Sequence, residues 1–426
     1  MPQRHPFRVV IPLGLAVCLS PLGDLTLYAV LVTQLDVVGL SLAAVGVMLS
    51  VNRFVRIPGN LVAGVLFDRW GRRPLFLLGM ALGVLSTASY GLAHGFWPFL
   101  AARAAWGVAW TLINVGGRTI ALDLSTAANR GRLTGFYQVF MWAGFALGPL
   151  LGGYLTDRMG FRAAMLTLAA LTAVGLSVAV VAVPETLAKE LSVVSHQSSV
   201  IGGQRSVVSG RRSVGAVLPS AFCLLRSGGP ALLLLAVLFL ITQFTGEGIA
   251  TSTLTLWLQN RFGQIVALAG IELGIATAGG IVAAAFSLLA GIAGPAGGHL
   301  SDRFGRLAVV AGSLLLAILG FLRLAIEGSA AAFALGVTLL AVSSGTALAA
   351  LTAQAGDLAP PGRQGAVMGL LATVSDVGLM LGPITAFALV PITGLPAVYG
   401  MCAAVCLFGV GLVWRERRMA ASRPTA

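Results

Sequence analysis

Apolar residues run in long unbroken stretches separated by short polar joints. Twelve such stretches can be drawn, near 9–34, 42–66, 75–94, 97–121, 133–155, 163–183, 230–257, 275–300, 307–326, 330–355, 367–390 and 396–414. Each is about 20 residues or longer, the length a helix needs to cross a bilayer. A transmembrane β-barrel would instead alternate apolar and polar positions over segments of about 10 residues. The pattern predicts an all-α integral membrane protein with twelve transmembrane helices, called spans 1–12 below. The first stretch follows Arg4 and Arg8 as a signal peptide would. It continues past Asp24 to about Leu35, too far for a cleaved leader, and reads as an uncleaved span. Between spans 6 and 7, residues 184–229 are rich in Ser, Gly and Val and carry Lys189, Arg205, Arg211, Arg212 and Arg226. This predicts a flexible linker joining a six-helix bundle of residues 1–183 to a second of residues 230–426.

Composition sharpens the class. Of 426 residues, 57% are hydrophobic and 10% charged, against about 25% charged in an ordinary soluble domain. The formal net charge of +13 would point to nucleic acid in a soluble protein. Here the basic residues, all Arg except Lys189, sit mostly in the joints, where they set membrane orientation. With the N-terminus inside, nineteen fall on the cytoplasmic side, against Arg158, Arg162 and Arg261 outside and Arg323 at a border. Both termini and the linker are therefore expected in the cytoplasm, the lipid bilayer is the surrounding medium, and nucleic acid is not a partner. Cys18, Cys402 and Cys406 lie in apolar stretches without a set of His or carboxylate ligands, so no metal site is expected. No Walker phosphate loop or Gly-x-Ser-x-Gly elbow occurs, so neither ATP use nor an enzyme is expected.

A repeat lies in the numbering. Gly64, Leu66, Asp68, Arg69, Gly71 and Arg72 return 234 residues later as Gly298, Leu300, Asp302, Arg303, Gly305 and Arg306. Asp123, Gly131 and Gly135 return as Asp357, Gly365 and Gly369, and Gly144, Gly148 and Pro149 as Gly378, Gly382 and Pro383. The offset superposes like joints on like joints, so the two halves are parallel repeats. Within the loop after span 2, glycine allows a tight turn. Asp68 suits the positive end of a neighbouring helix, and the arginines can hold a second carboxylate, for which Asp123 is the candidate.

On these residues the chain resembles the major facilitator superfamily, over its whole length. The resemblance implies two six-helix bundles with a substrate site between them. It also implies that the loop of Gly64, Asp68, Arg69, Gly71 and Arg72, with Asp302 and Arg303 in the second half, is a conformational latch. Span 5 carries Gly135, Gly144, Gly148, Pro149, Gly152 and Gly153, which resembles the pattern of the superfamily's drug–proton antiporters. Arg103, followed by Gly107, is similar to an arginine feature of span 4 linked there to proton coupling. In the superfamily spans 1, 4, 7 and 10 line the cavity.

Acids inside the spans are few, namely Asp24, Glu247 and Asp376, with Glu272 near the start of span 8. An acid among apolar groups must find a cation, find water or take up a proton. Asp24 leads as the coupling residue, followed by Glu247, with Asp376 and Arg103 as further members. Asp24 has Arg53 and Arg103 as possible partners. Arg53, Arg56 and Asn60 share one face of span 2. The arginines either balance acids or receive an anionic group of a substrate. Trp106, Trp110 and Phe244 are candidate walls of an apolar cavity. The expected function is secondary transport without a cofactor, driven by protons. It would be an antiporter exporting small organic molecules, working as a monomer in a bacterial inner membrane. The alternative is proton-coupled uptake of an organic anion with Arg53 and Arg56 as its ligands. A non-transporting receptor would need an output domain, and 184–229 is too short and polar for one.

Overall fold

The computed structural model describes residues 6–125, 130–186, 229–268, 271–326, 328–359 and 364–421. Span 1 consists of helices Pro6–Leu19 and Leu22–Val30, and span 2 is Leu42–Trp70. Spans 3–6 are Arg72–Leu92, Phe96–Asp123, Arg130–Met159 and Phe161–Ala182. Span 7 comprises Gly229–Thr242, Gln243–Ala250 and Thr251–Phe262. Spans 8–10 are Ile275–Phe304, Arg306–Ala325 and Ala330–Leu358. The stretch Gln364–Ala421 holds spans 11 and 12, divided at Gly394, whose φ is 78°. By length and apolar composition alone, nine described stretches can cross a membrane, the last of them holding spans 11 and 12 together. Spans 2 and 4, which carry Arg53, Arg56 and Arg103, complete the twelve.

Three local departures from the sequence pattern matter. Span 1 is broken at Ser20 and Pro21, because proline has no N–H to continue the ladder. The break puts Asp24 in the first turn of Leu22–Val30, where unpaired backbone N–H groups favour a negative charge. In span 7, Gln243–Ala250 is wound as a π-helix. Its sequence holds two glycines, and the Thr251 and Ser252 hydroxyls donate to the carbonyls of Glu247 and Gly248 at 2.5 and 2.7 Å, loosening the regular ladder. Such π segments recur at functional sites. Between spans 7 and 8, Ile265–Leu268 and Ile271–Gly274 form an antiparallel ribbon with Ile265 opposite Gly274. Glu272 is therefore on a strand and not at the start of a helix. Gly263, at φ 76°, ends span 7 before the ribbon.

The two sets of six helices meet along two seams, span 5 on span 8 and span 2 on span 11. Both seams are close backbone contacts. A Cβ on Gly153 would strike the carbonyl of Ala276, one on Gly280 the carbonyl of Pro149, and one on Gly46 the carbonyl of Pro383. Small residues of this kind let helices approach in a bilayer, where dispersion contacts replace the hydrophobic effect between helices.

Candidate functional site

Among the described residues, six charged side chains lie well inside the spans: Asp24, Arg53, Arg56, Arg103, Glu247 and Asp376. The structure gathers them into three arrangements.

The first is a closed pair. Arg103 of span 4 donates to the Asp24 carboxylate, and both residues are buried. Its Nε donates to the Met48 carbonyl at 2.7 Å and another nitrogen to the Leu49 carbonyl at 3.4 Å. Tyr28 and Tyr90 place their rings 5.7 and 5.9 Å from the guanidinium carbon. Of the two partners the sequence offered Asp24, the structure selects Arg103. Spans 1, 2, 3 and 4 thus converge on one charge pair within the first half.

The second arrangement bridges the halves. Arg53 and Arg56 of span 2 approach one carboxylate oxygen of Asp376 on span 11 at 3.7 and 3.3 Å. Asn60 donates to its other oxygen at 3.4 Å. The predicted shared face of Arg53, Arg56 and Asn60 is therefore real, and its acid is Asp376. One carboxylate faces two guanidinium groups at loose distances. Among the described residues, the Nε atoms of both arginines and the Oδ1 atoms of Asn52 and Asn60 are buried without hydrogen-bond partners. Nearby, the Ser50 hydroxyl donates to the Met380 carbonyl across the same seam at 2.6 Å.

The third arrangement is Glu247 in the π segment of span 7. Its carboxyl accepts a hydrogen bond from the Ser344 hydroxyl of span 10 at 3.1 Å. Among the described residues no cation lies within ion-pair distance of it. A small cavity of about 10 Å³ lies beside this pair, lined by Thr242, Thr245, Ser343 and Ser344 among others. That is roughly the room one water molecule needs. Ser344 was not singled out from sequence, since one serine in a small-residue helix carries no signal.

The aromatic candidates are mostly enclosed. Trp106 is buried against Gly83 and stacks on Trp110, which leads through Phe145 to the more exposed Trp142. Phe244 is half-buried, its backbone against Gly378 and Gly382 of span 11. The span 5 glycines divide their work. Gly144, Gly148 and Gly152 receive span 1 at Cys18, Leu22 and Thr26, whereas Pro149 and Gly153 meet span 8. Among the described residues no neighbour approaches the Cβ position of Gly135.

At the loop end, Gly71 turns the chain at φ 97°, and Arg72 Nε donates to Asp123 at 3.4 Å. The repeat holds there too: Arg306 donates to Asp357 at 3.0 Å and also to Asp302. Arg69 is exposed, and Arg303 lies over the Phe304 ring. The packing of Gly64 and the side chain of Asp68 fall outside the described residues. Sequence reasoning missed Glu185. Its carboxylate accepts the Arg72 and Arg73 backbone N–H groups at 2.9 and 3.1 Å, capping span 3, while the Thr186 hydroxyl donates to Asp123 at 2.8 Å. Residues 184–186, read as the start of the linker, are therefore docked on the loop; residues 187–228 lie outside the described set.

The sequence profile of the Major Facilitator Superfamily matches residues 13–283 and 264–426. The chain belongs to the major facilitator superfamily. As a member of that superfamily it is an integral-membrane secondary transporter of small organic molecules and not an enzyme. Among its relatives, the mouse Major facilitator superfamily domain-containing protein 10 is 23% identical over 389 residues, covering 88% of this chain and 78% of that protein. Multidrug resistance protein MdtG of Dickeya zeae (strain Ech586) is 27% identical over 380 residues, covering 89% and 85%. Among superfamily structures, the human organic anion transporter MFSD10 (TETRAN) is similar in fold, with a TM-score of 0.67, 21% identity and coverage of 96% and 100%.

Proposed function

We propose that this carrier moves a small organic anion together with a proton, with Arg53 and Arg56 as ligands of the anion and Glu247 as the proton-binding carboxyl. The observation that carries the reading is the pair of guanidinium groups sharing the single carboxylate of Asp376. Asp24 is matched to Arg103, so one positive charge remains near mid-span. An ionised Glu247 balances it, making three acids against three arginines. When Glu247 is protonated the balance is lost, and an anion between Arg53 and Arg56 restores it. A net charge in a membrane interior is expensive, so anion and proton enter the occluded state together. The similarity to an organic anion transporter supports this reading.

The rival reading is export by antiport, with Asp24 exchanging its proton for contact with Arg103 or a cationic substrate. It is supported by the span 5 glycine pattern and by the likeness to a multidrug resistance protein. The sign of accumulation separates the two. Purified protein in liposomes is given an imposed pH gradient and a labelled organic sulfonate, which stays ionised and does not partition as a weak acid. Cotransport concentrates it in the alkaline compartment, and antiport in the acidic one. Glu247→Gln should abolish the gradient-driven accumulation while leaving exchange of the anion intact. Accumulation in the acidic compartment, or full coupling in Glu247→Gln, overturns the proposal.

The orientation proposed is both termini and residues 184–229 on the cytoplasmic side of a bacterial inner membrane, from the Arg and Lys bias. A cysteine introduced at Ser209 should resist an impermeant maleimide in intact cells and react after permeabilisation. Efficient labelling of intact cells would reverse the topology.

A further inference from the structure

Four joints of the chain share one backbone feature. Gly71, Gly160, Gly305 and Gly394 separate spans 2 and 3, 5 and 6, 8 and 9, and 11 and 12, with φ of 97°, 80°, 91° and 78°. An L side chain rarely adopts this left-handed conformation. Gly71 and Gly160 are 89 residues apart, as are Gly305 and Gly394. At that offset the first half repeats more than a glycine. Gly64, Leu66, Asp68, Arg69, Gly71 and Arg73 return as Gly153, Leu155, Asp157, Arg158, Gly160 and Arg162. Three spans separate the two copies, so the second lies on the opposite face of the membrane, whatever the orientation of the chain. At the fourth joint Pro391 and Ile392 stand where Asp and Arg would be, and only Leu389 and Gly394 of the element persist.

The structure shows what the second copy holds. One Asp157 oxygen accepts the backbone N–H of Thr277 at 2.7 Å and its hydroxyl at 2.5 Å. Thr277 is the third residue of the span 8 helix, whose cap position is Gly274, with no side chain to offer. Backbone N–H groups in the first turn of a helix have no partner within the helix. A cap normally comes from the residue just before it. Here it comes from the other half of the protein. Gly274 leaves room for this cap, since a Cβ there would occupy the space of the Asp157 carboxylate and displace it. Gly153, one turn earlier on span 5, lets the helices close to the distance at which Asp157 reaches.

We propose that Asp157 is a second latch of the transport cycle. It holds the halves together at the face opposite the Asp68 loop, so that the two copies of one sequence element oppose each other across the membrane. This rests on the carrier reading and on no particular substrate, and its test reads conformation and not flux.

Spin labels at Ala163 and Gln264, both exposed and on opposite halves at this face, report its opening by double electron–electron resonance in liposomes. Asp157→Ala should lower the closed-to-open ratio at this face about fivefold, the usual worth of a helix cap. Asp157→Asn keeps an acceptor that caps nearly as well and should preserve most of the closed population. Asp68→Ala should shift the same distances the other way, and the double variant should return toward the wild-type distribution. An unchanged distribution in Asp157→Ala, or equal shifts in Asp157→Ala and Asp157→Asn, would refute the latch. So would shifts of the same sign in the Asp157 and Asp68 alanine variants.

Discussion

Arg103→Ala will destabilise the protein by about 3–5 kcal/mol, the range for deleting one partner of a buried ion pair. The substitution removes the charge facing Asp24 and leaves the Met48 carbonyl without its 2.7 Å donor. Asp24→Asn should be milder, since Arg103 keeps both backbone carbonyls of span 2 and the flanking Tyr28 and Tyr90 rings. The double variant should regain part of what Arg103→Ala loses, because no carboxylate is then stranded. Thermal unfolding in detergent, run on all three at equal protein and lipid content, gives the order. If Arg103→Ala unfolds at the wild-type temperature, the pair contributes nothing to the fold and Asp24 returns as the leading proton site.

Arg56→Gln should lower the apparent affinity for an organic sulfonate ten- to a hundredfold, as expected for losing a charge-assisted contact worth about 1.5–3 kcal/mol. Arg53→Gln should act in the same direction. Asp376→Asn should do the opposite. It removes the carboxylate now shared by both arginines, so the anion binds more tightly and leaves more slowly. Binding to the purified protein, measured by calorimetry with the sulfonate and with an uncharged analogue, separates these effects from misfolding. Tighter sulfonate binding in Arg56→Gln, or weaker binding in Asp376→Asn, would remove the arginines from the substrate site.

The spans were readable because a bilayer imposes one requirement, about 20 mainly apolar residues per crossing, which ten spans meet by composition alone and spans 2 and 4 approach despite the arginines they carry. The loop pairing of Arg72 with Asp123 was also readable, since the repeat supplied Arg306 and Asp357 as a second instance. The partner of Arg53 and Arg56 was not. Span 2 shows that they share a face, but which helix lies opposite is a fact of packing between distant segments. Glu185 was hidden for a different reason. It caps span 3 through its carboxylate, a job that needs only one acid within reach of two N–H groups. Its neighbours from 187 onward are rich in Ser and Gly, and that composition masked it. Asp157 had a visible signal in the recurrence of Gly-x-Leu-x-Asp-Arg-x-Gly. That recurrence is found only by comparing opposite faces of the membrane.

At three points the seams between the halves are backbone contacts at glycine. Gly46 meets the Pro383 carbonyl, Gly153 the Ala276 carbonyl and Gly280 the Pro149 carbonyl. A contact between long side chains freezes rotamers when it forms and frees them when it breaks, at up to about 2 kcal/mol for each flexible residue. Glycine has no rotamers to freeze. These surfaces can therefore part and rejoin with little change in side-chain entropy. Polar contacts across the seams then carry more of the balance between the closed and open forms. Among the described residues they include Ser50 with Met380, the arginines and Asn60 with Asp376, and Asp157 with Thr277. On the proposed function, one proton or one bound anion among such contacts shifts that balance.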